Sequence, residues 1–266
     1  LLLLSGIGPA QQLRARGIDL VADMAEVGEN LQDHPIILVS YATPSQLPAS
    51  KYNHGETYAT LRSGLPGAGR PATAANEPPD LQLFPILLPL APERCEPPAH
   101  GYVLVAALVA PSSRGRVRLA AADPGAAPLI DPGFLHAEHD LDRLVTGLEL
   151  VRQAAASDAF AQFQVTEVWP GPEVRDGAEL RGYVRQRVGS YHHPAGTCRM
   201  GSDDGAVVDP QLRVRGVAGL RIADASVMPA IPNAHTNATV LAIAERAAGL
   251  ISQPARPAAS GAPASR

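Results

Sequence analysis

The chain has 266 residues, enough to bury the core of one large domain or two small ones. Its net charge is −4, with acidic and basic residues interspersed, a pattern that does not indicate a nucleic-acid-binding protein. Hydrophobic residues make up 45% of the chain, yet no apolar run is long enough to cross a membrane. Cys95 and Cys198 lie far apart without the spacing of metal ligands, which favours two reduced thiols. We therefore expect a cytoplasmic protein without a transmembrane segment.

The first part of the chain alternates short apolar segments with turns. Its four opening leucines are not preceded by an initiator Met or a basic region, so they are not typical of a signal peptide. We predict a helix over residues 10–16 and strands over residues 18–21 and 36–41. Residues 44–80 are rich in Pro, Gly and Ala without a clear period, which predicts a long loop or lid.

The middle of the chain combines β-like runs with two helical patterns. The β-like runs fit an antiparallel sheet and cover residues 81–90, 102–109 and 114–119. Apolar residues at helical spacing predict a helix over residues 140–156, with Asp140 as its N-cap. A second helix is predicted over residues 178–188.

The last third of the chain is predicted to hold a short strand, a loop, a helix and a tail. A short buried strand is predicted over residues 219–224, ending in Asp224, and a loop over residues 232–236. An apolar helix is predicted over residues 237–252. Residues 253–266 consist almost entirely of Pro, Ala, Ser, Gly and Arg, which predicts a disordered tail.

The stretch YHHPAGTCRMG, residues 191–201, holds two adjacent histidines in a loop bounded by Gly and Pro. Histidine titrates near neutral pH without help from its surroundings, so a loop histidine is a natural general base. The alternative is purely structural, with one ring of the pair buried and the other in solvent. The residues alone leave both interpretations open.

A metal site is a further alternative for the same histidines. Neighbouring side chains on an extended chain point in opposite directions, so His192 and His193 rarely bind one ion together. His235 and Asp224 could contribute ligands, but no HxxxH or CxxC pattern frames them. The spacing therefore disfavours zinc.

Asp224 and Asn237 are candidates for ligand contacts. An acid at the carboxyl end of a strand in an α/β sheet lies where such sheets bind ligands. Asn237 begins the predicted apolar helix, where it is suited to be the N-cap, and a helix N-terminus favours nearby negative charge. An ordinary helix with an ordinary cap explains the same residues.

Several segments, taken in order, resemble one known family. They are LLLSGIGP at residues 2–9, VGENLQDHP at 27–35, HPAGTCRMG at 193–201, VDP at 208–210, LRIADASVMP at 220–229 and NATV at 237–240. The chain resembles the glucose-methanol-choline (GMC) family of FAD oxidoreductases, up to about residue 252. Its choline-dehydrogenase-like branch is the most similar, because Asn237 stands where glucose-oxidase-like members carry a second histidine.

The resemblance implies an α+β or α/β fold, the C-terminal part of a GMC-type FAD domain interleaved with a substrate domain built on an antiparallel sheet. Residues 1–34 and 191–252 would belong to the FAD domain. Residues 35–190 would form the substrate domain, and residues 253–266 the tail.

The resemblance also implies a reaction, the FAD-dependent oxidation of a primary or secondary alcohol to a carbonyl compound. His193 would remove the hydroxyl proton while a hydride passes to flavin N5, and Asn237 would hydrogen-bond the substrate oxygen. His192 would be only a neighbour of the base. The implied cofactor contacts are Asp224, Ala225, Asn233, Thr236 and Asn237. The partners would be the alcohol and an electron acceptor, namely oxygen, a quinone or another carrier, and the acceptor could bring the protein to a membrane.

One departure from the family bears on activity. The family begins with a strand, a GxGxxG turn and a helix that hold the ADP part of FAD, and this motif is absent from residues 1–266. We therefore expect a C-terminal fragment that is inactive by itself. The alternative is a non-catalytic remnant that acts as a binding or scaffold module. A metallohydrolase is disfavoured because no ligand triad is present in the sequence.

Overall fold

The structure is a computed structural model, and it describes residues 1–48, 50–65, 78–161, 163 and 165–252. The strands are β1 Ile7–Gly8, β2 Ala22–Asp23, β3 Pro35–Ala42, β4 Ala59–Leu61, β5 Leu81–Ile86, β6 Gly101–Leu108, β7 Arg116–Arg118, β8 Leu129–Asp131, β9 Thr166–Trp169 and β10 Gly189–Ser190. The α-helices are α1 Ala10–Ala15, α2 Glu138–Ala155, α3 Asp158–Ala161, α4 Gly177–Arg187 and α5 Asn237–Ser252. The predicted tail, residues 253–266, lies outside the described residues.

A six-stranded sheet is the centre of the fold, with the strand order β10-β3-β6-β5-β4 and β9 paired to β3. Every pairing in it is antiparallel, so the antiparallel sheet predicted from residues 81–90 and 102–109 is confirmed. The third predicted run, residues 114–119, lies outside this sheet, because its strand β7 pairs with β8 in a separate two-stranded sheet. Strand β6 lies between β3 and β5, and all eight of its residues are buried. A strand covered on both faces needs an uninterrupted apolar run, and GYVLVAAL supplies one. The predicted loop of residues 44–80 contributes the edge strand β4.

Helix α2 covers one face of this sheet. Leu141, Leu144 and Leu148 follow one another at helical spacing and have no exposed surface. Their sheet partners include Ile37, Val39, Leu81, Leu104 and Ala106. Burial of this apolar face against the sheet therefore supplies most of the stability of the helix.

Asp140 is not the N-cap of α2, and that prediction was wrong. The helix begins two residues earlier, and the Asp140 side chain is fully buried inside its first turn. The carboxylate accepts hydrogen bonds from the Ser113 amide at 2.7 Å, the Ser113 hydroxyl at 2.6 Å and the Ser112 amide at 3.0 Å. The Asp140 carboxylate therefore binds hydrogen-bond donors of the loop that follows β6 instead of the free amides of its own helix. Helix α4, in contrast, is capped by a residue next to it in sequence, because Asp176 is its N-cap and forms a capping box with Glu179.

A second apolar cluster joins the first residues of the chain to the last. Leu3, Leu13 and Val27 pack with residues of the last third, which include Val207, Val208, Leu212, Val214, Val227 and Ala247. The strand predicted over residues 18–21 lies slightly later, as β2, and pairs in parallel with β1. Residues 219–224 form no strand but only an isolated bridge between Arg221 and Arg213. Gly219 has a φ of +76°, which bends the backbone out of an extended conformation at the start of that segment.

Helix α5 covers the predicted residues, but its cap differs by one position. The carbonyl of Thr236 accepts the first helical hydrogen bond, from the amide of Val240 at 2.9 Å, so Thr236 is the N-cap and Asn237 is the first helical residue. Among the described residues, no helix combines the length and the apolar character that crossing a membrane requires.

Candidate active site

The paired histidines lie where β10 leaves the sheet. Strand β10 pairs with the beginning of β3, so the loop after it runs beside residues 32–34. The amide of Tyr191 donates to the carbonyl of His34 at 3.0 Å. Gln32 and Ala195 then exchange two backbone hydrogen bonds, at 2.9 and 2.8 Å. Two segments that are far apart in sequence, VGENLQDHP and YHHPAGTCRMG, are thereby held as one unit.

Asp33 organises the turn between the two histidines. One carboxylate oxygen accepts the amides of His193 at 2.9 Å and His34 at 2.8 Å, and the other accepts the hydroxyl of Ser190. The Ser190 oxygen in turn accepts the amide of His192 at 2.8 Å. His192 has a φ of +62° and an exposed side chain, so the turn separates the two rings.

The His193 ring lies in a partly buried group of aromatic and histidine side chains. Its centroid is 4.4 Å from the Tyr191 ring, 5.0 Å from His34 and 5.4 Å from His235. Burial, followed by the charge of a protonated His235, lowers the pKa of His193, and the Asp33 carboxylate partly opposes that shift. A lowered pKa keeps the imidazole neutral at neutral pH, which a proton acceptor requires.

Tyr191 connects the histidine group to the sheet. Its hydroxyl donates to the side-chain oxygen of Gln82 at 3.0 Å and lies 3.1 Å from Nε2 of His235. Its ring stacks on Phe84 with a centroid distance of 5.1 Å. Gln82 and Phe84 are two residues apart on β5 and therefore share one face of the sheet. Leu81 packs with α2 on the opposite face, so Gln82 and Phe84 point away from that helix. The sheet face opposite α2 is therefore the face that carries the histidines.

His235 is a site neighbour that the sequence suggested only as a possible metal ligand. The loop before α5 brings its ring beside those of Tyr191 and His193. Asn237, two residues later, has an exposed side chain at the first position of α5. Among the described part of the chain, no set of three His, Cys, Asp or Glu side chains is placed to hold a metal ion.

The other predicted contact residues are distributed around this group. The carbonyl of Ala225 accepts the amide of Gly196 at 3.2 Å, which ties it to the histidine motif. Asn233 donates its side-chain amide to the carbonyl of Pro79 at 3.0 Å, just before β5. Thr236 is buried, whereas Asp224 is exposed and accepts the amide of Ser226 at 2.8 Å. The structure therefore ties Ala225 to the histidine motif and leaves the side chain of Asp224 exposed.

Gln32 is a site residue that the analysis of single motifs missed. Its side chain is buried, donates to the carbonyl of Pro229 at 3.2 Å and accepts the amide of Ile231 at 3.1 Å. It therefore fixes the segment that leads to His235. The only sequence signal was its place inside VGENLQDHP, since its partners are almost 200 residues away, at separations of 197 and 199.

A cavity of about 640 Å³ lies next to Thr197 and Cys198 of the histidine motif. Its apolar wall includes Leu2, Ile7, Val27 and Ile222. Its polar margin includes Ser5, Asp224 and Ser226. Cavities of this size and mixed lining are typical of cofactor and small-molecule sites.

With this geometry in place, the comparisons with known proteins identify the family. Residues 111–244 match the family model for GMC oxidoreductases, and the chain belongs to that family. It is 35% identical to an alcohol dehydrogenase [acceptor] from Pseudomonas putida and 36% identical to a choline oxidase from Arthrobacter globiformis. In both cases 94% of this chain is aligned, against 48% and 46% of the relative. The chain thus spans about half the length of the curated relatives it matches.

Two solved structures agree with that assignment. A pyridoxine 4-oxidase from Mesorbium loti has a TM-score of 0.84 and 36% identity, covering 94% of this chain and 48% of its own. A formate oxidase from Aspergillus oryzae, studied for its FAD modification, has a TM-score of 0.81 and 27% identity, covering 94% and 51%. The predicted membership and the mixed α/β fold with an antiparallel sheet are confirmed.

Proposed function

We propose that this chain supplies the base and the substrate-facing sheet of an FAD-dependent enzyme that oxidises a primary or secondary alcohol to a carbonyl compound. Family membership supports the reaction class, and the names of the relatives, alcohol dehydrogenase, choline oxidase and pyridoxine 4-oxidase, support an alcohol as the substrate. The observation that carries the proposal is the position of His193, a partly buried imidazole on the sheet face opposite α2, whose pKa is lowered by burial.

The proposed role of His193 is that of general base. Its ring would accept the proton of the substrate hydroxyl as the bond from the α-carbon to hydrogen breaks. Bound FAD supplies a hydride acceptor at N5. Asp33, which holds the His193 backbone, would place the imidazole before the substrate arrives, so that no reorganisation is needed during the reaction. Asn237 would hydrogen-bond the substrate oxygen, and the His235 ring lies beside the base, with its centroid 5.4 Å from that of His193.

The residues present fit an FAD-binding role. The cavity beside Thr197 and Cys198 is bordered by Asp224 and Ser226, whose polar groups would meet the cofactor. Helix α5 begins at Asn237, and the positive end of its dipole would favour the anionic form of the reduced cofactor. From the family resemblance we propose as cofactor contacts Asp224, which borders this cavity, together with Ala225, Asn233, Thr236 and Asn237.

The proposal includes a division of the chain into two parts. Residues 35–190 would form the substrate domain, and residues 1–34 and 191–252 would belong to the FAD domain. The two apolar clusters support this division. One is built from residues of the sheet with α2 and α4, and the other from the first and last parts of the chain.

The test is spectroscopic and uses a protein in which these residues are joined to a family FAD-binding segment. Oxidised flavin absorbs visible light, and reduction bleaches it. Primary and secondary alcohols are added anaerobically, and we expect at least one of them to bleach the flavin. Addition of oxygen or a quinone then identifies the electron acceptor by recovery of the absorbance. A flavin that stays oxidised with every alcohol would favour the non-catalytic alternative, a binding or scaffold module.

A further inference from the structure

His34 is a buried residue whose two ring nitrogens are both engaged. It has no exposed surface, although it lies in the segment between the two parts of the chain. Its Nε2 lies 3.1 Å from the carbonyl oxygen of Pro232, and its Nδ1 lies 2.9 Å from Nδ1 of His193. The His193 ring is perpendicular to the His34 ring, with an interplanar angle of 89°. The base of the proposed reaction is thus held through one specific ring atom.

The chemistry of these partners decides where the protons are. A peptide carbonyl only accepts hydrogen bonds, so the Nε2 of His34 must carry a proton and donate it to Pro232. A neutral imidazole has one N–H, so the Nδ1 of His34 is then an acceptor. His34 is neutral because burial, followed by the charge of a protonated His193, lowers its pKa to about 4.

The acceptor on His34 also determines which ring nitrogen of His193 carries a proton. Its Nδ1 faces an acceptor at hydrogen-bond distance, so that nitrogen must carry the proton of the neutral ring. Its Nε2 then has a free lone pair. We propose that His34 is a positioning residue, which holds His193 in the Nδ1–H tautomer and leaves Nε2 as the atom that accepts the substrate proton. The identity of the proton donor rests on the proposed function, whereas the tautomer rests on the hydrogen-bond geometry.

The arrangement has a consequence for the proton transfer itself. When Nε2 gains a proton, the Nδ1–H bond to His34 stays in place, so the charged ring keeps its partner. The Asp33 carboxylate, which accepts the backbone amide of His193, lies near the new positive charge and favours it. No hydrogen bond has to be broken or reversed, which is the condition for a preorganised base.

The primary test is nitrogen NMR of the substrate-free protein labelled with ¹⁵N-histidine. Protonated and unprotonated ring nitrogens have well-separated chemical shifts, and His34→Asn and His193→Ala spectra assign the signals. We expect a protonated Nδ1 with an unprotonated Nε2 for His193, and the opposite pattern for His34. A proton on Nε2 of neutral His193, or on Nδ1 of His34, would overturn the proposal.

A matched pair of variants tests the functional consequence in the FAD-loaded protein. In His34→Asn the side-chain oxygen takes the place of Nδ1 and keeps the acceptor for His193. In His34→Gln the amide reaches the place of Nε2, so the bond to Pro232 is kept and the acceptor is lost. Each variant thus keeps one of the two hydrogen bonds of His34 and loses the other, so a slower His34→Gln would point to the acceptor for His193 and not to the bond to Pro232.

We expect the limiting rate of flavin reduction in His34→Gln to be about tenfold below that of His34→Asn, with equal KM values. This is less than the roughly 10⁴-fold loss caused by a histidine locked in the wrong tautomer, because an unlocked ring samples both forms. Equal rates in the two variants would overturn the positioning role. If His193→Ala reduces flavin normally, the proposed function fails, while the NMR result still decides the tautomer.

Discussion

Helices α2 and α5 have similar lengths, 18 and 16 residues, but they meet very different surroundings. Nine residues of α2 are buried, against Ala247 alone in the described helix α5. Leu144 of α2 has no exposed surface, whereas Leu241 and Ile251 of α5 are 63% and 62% exposed. The sheet region is therefore held by apolar burial within the chain. The histidine region depends much more on a polar network through Gln32, Asp33 and His34.

The largest expected effect is on catalysis in the histidine region. In the FAD-loaded protein we predict that His193→Ala lowers the rate of flavin reduction by about a hundred- to ten-thousand-fold, because a general base is lost. Anaerobic stopped-flow absorbance measures the rate. His192→Ala is the matched control, since its ring is exposed, and it should have the smaller effect. The assignment of the base is refuted if His192→Ala abolishes reduction and His193→Ala does not.

The next prediction concerns stability and compares the two helices directly. Leu144→Ala should lower the free energy of unfolding by about 2–5 kcal/mol, because it leaves a cavity between α2 and the sheet. Leu241→Ala makes the same chemical change on an exposed face and should alter stability by no more than about 0.5 kcal/mol. Urea denaturation followed by circular dichroism measures both. Equal losses would mean that Leu241 is buried in the folded protein.

The pH dependence of stability should reveal the buried His34. Its pKa is about 4 in the folded protein and about 6.5 when unfolded, so the unfolded state binds the extra proton between these values. Stability is fully present above pH 6.5 and falls as the pH drops towards 4, by about 3 kcal/mol over that window. Denaturation midpoints at several pH values measure the slope.

His34→Asn provides the control for this prediction, because asparagine does not titrate. The slope of stability against pH between 4 and 6.5 should be smaller in the variant by close to one bound proton, or about 1.4 kcal/mol per pH unit. Carboxylates elsewhere contribute equally to both proteins and cancel in the difference. An identical slope would show that His34 is not buried as a neutral ring.

The smallest predicted effect is at the start of α5. Asn237→Ala removes one hydrogen bond to the substrate and no proton acceptor, so it should slow flavin reduction by about tenfold, equivalent to about 1.4 kcal/mol. The comparison variant is His235→Ala, whose ring contacts the His193 ring in the structure. A larger loss in His235→Ala than in Asn237→Ala would assign the second polar contact to His235.

Local patterns predicted a good part of the fold. The uninterrupted apolar run of β6 and the helical spacing in α2, α4 and α5 indicated elements whose bounds agree within about two residues with those in the structure. Where local signals failed, a distant partner was responsible. Asp140 is of a residue type that favours the N-cap position, but its carboxylate accepts hydrogen bonds from the amides of residues 112 and 113.

The sequence by itself determined the family, the antiparallel sheet and the candidacy of His193, because each depends on residue types in a local order. Only the tertiary structure decided which atoms surround that histidine. Its ring meets His34 across 159 residues, and Gln32 meets Pro229 across 197. A hydrogen bond acts over about 3 Å in space, so a single sequence carries no mark of such a pair. The proposed protonation of His193, and with it the identity of the basic nitrogen, depends on contacts that only folding creates.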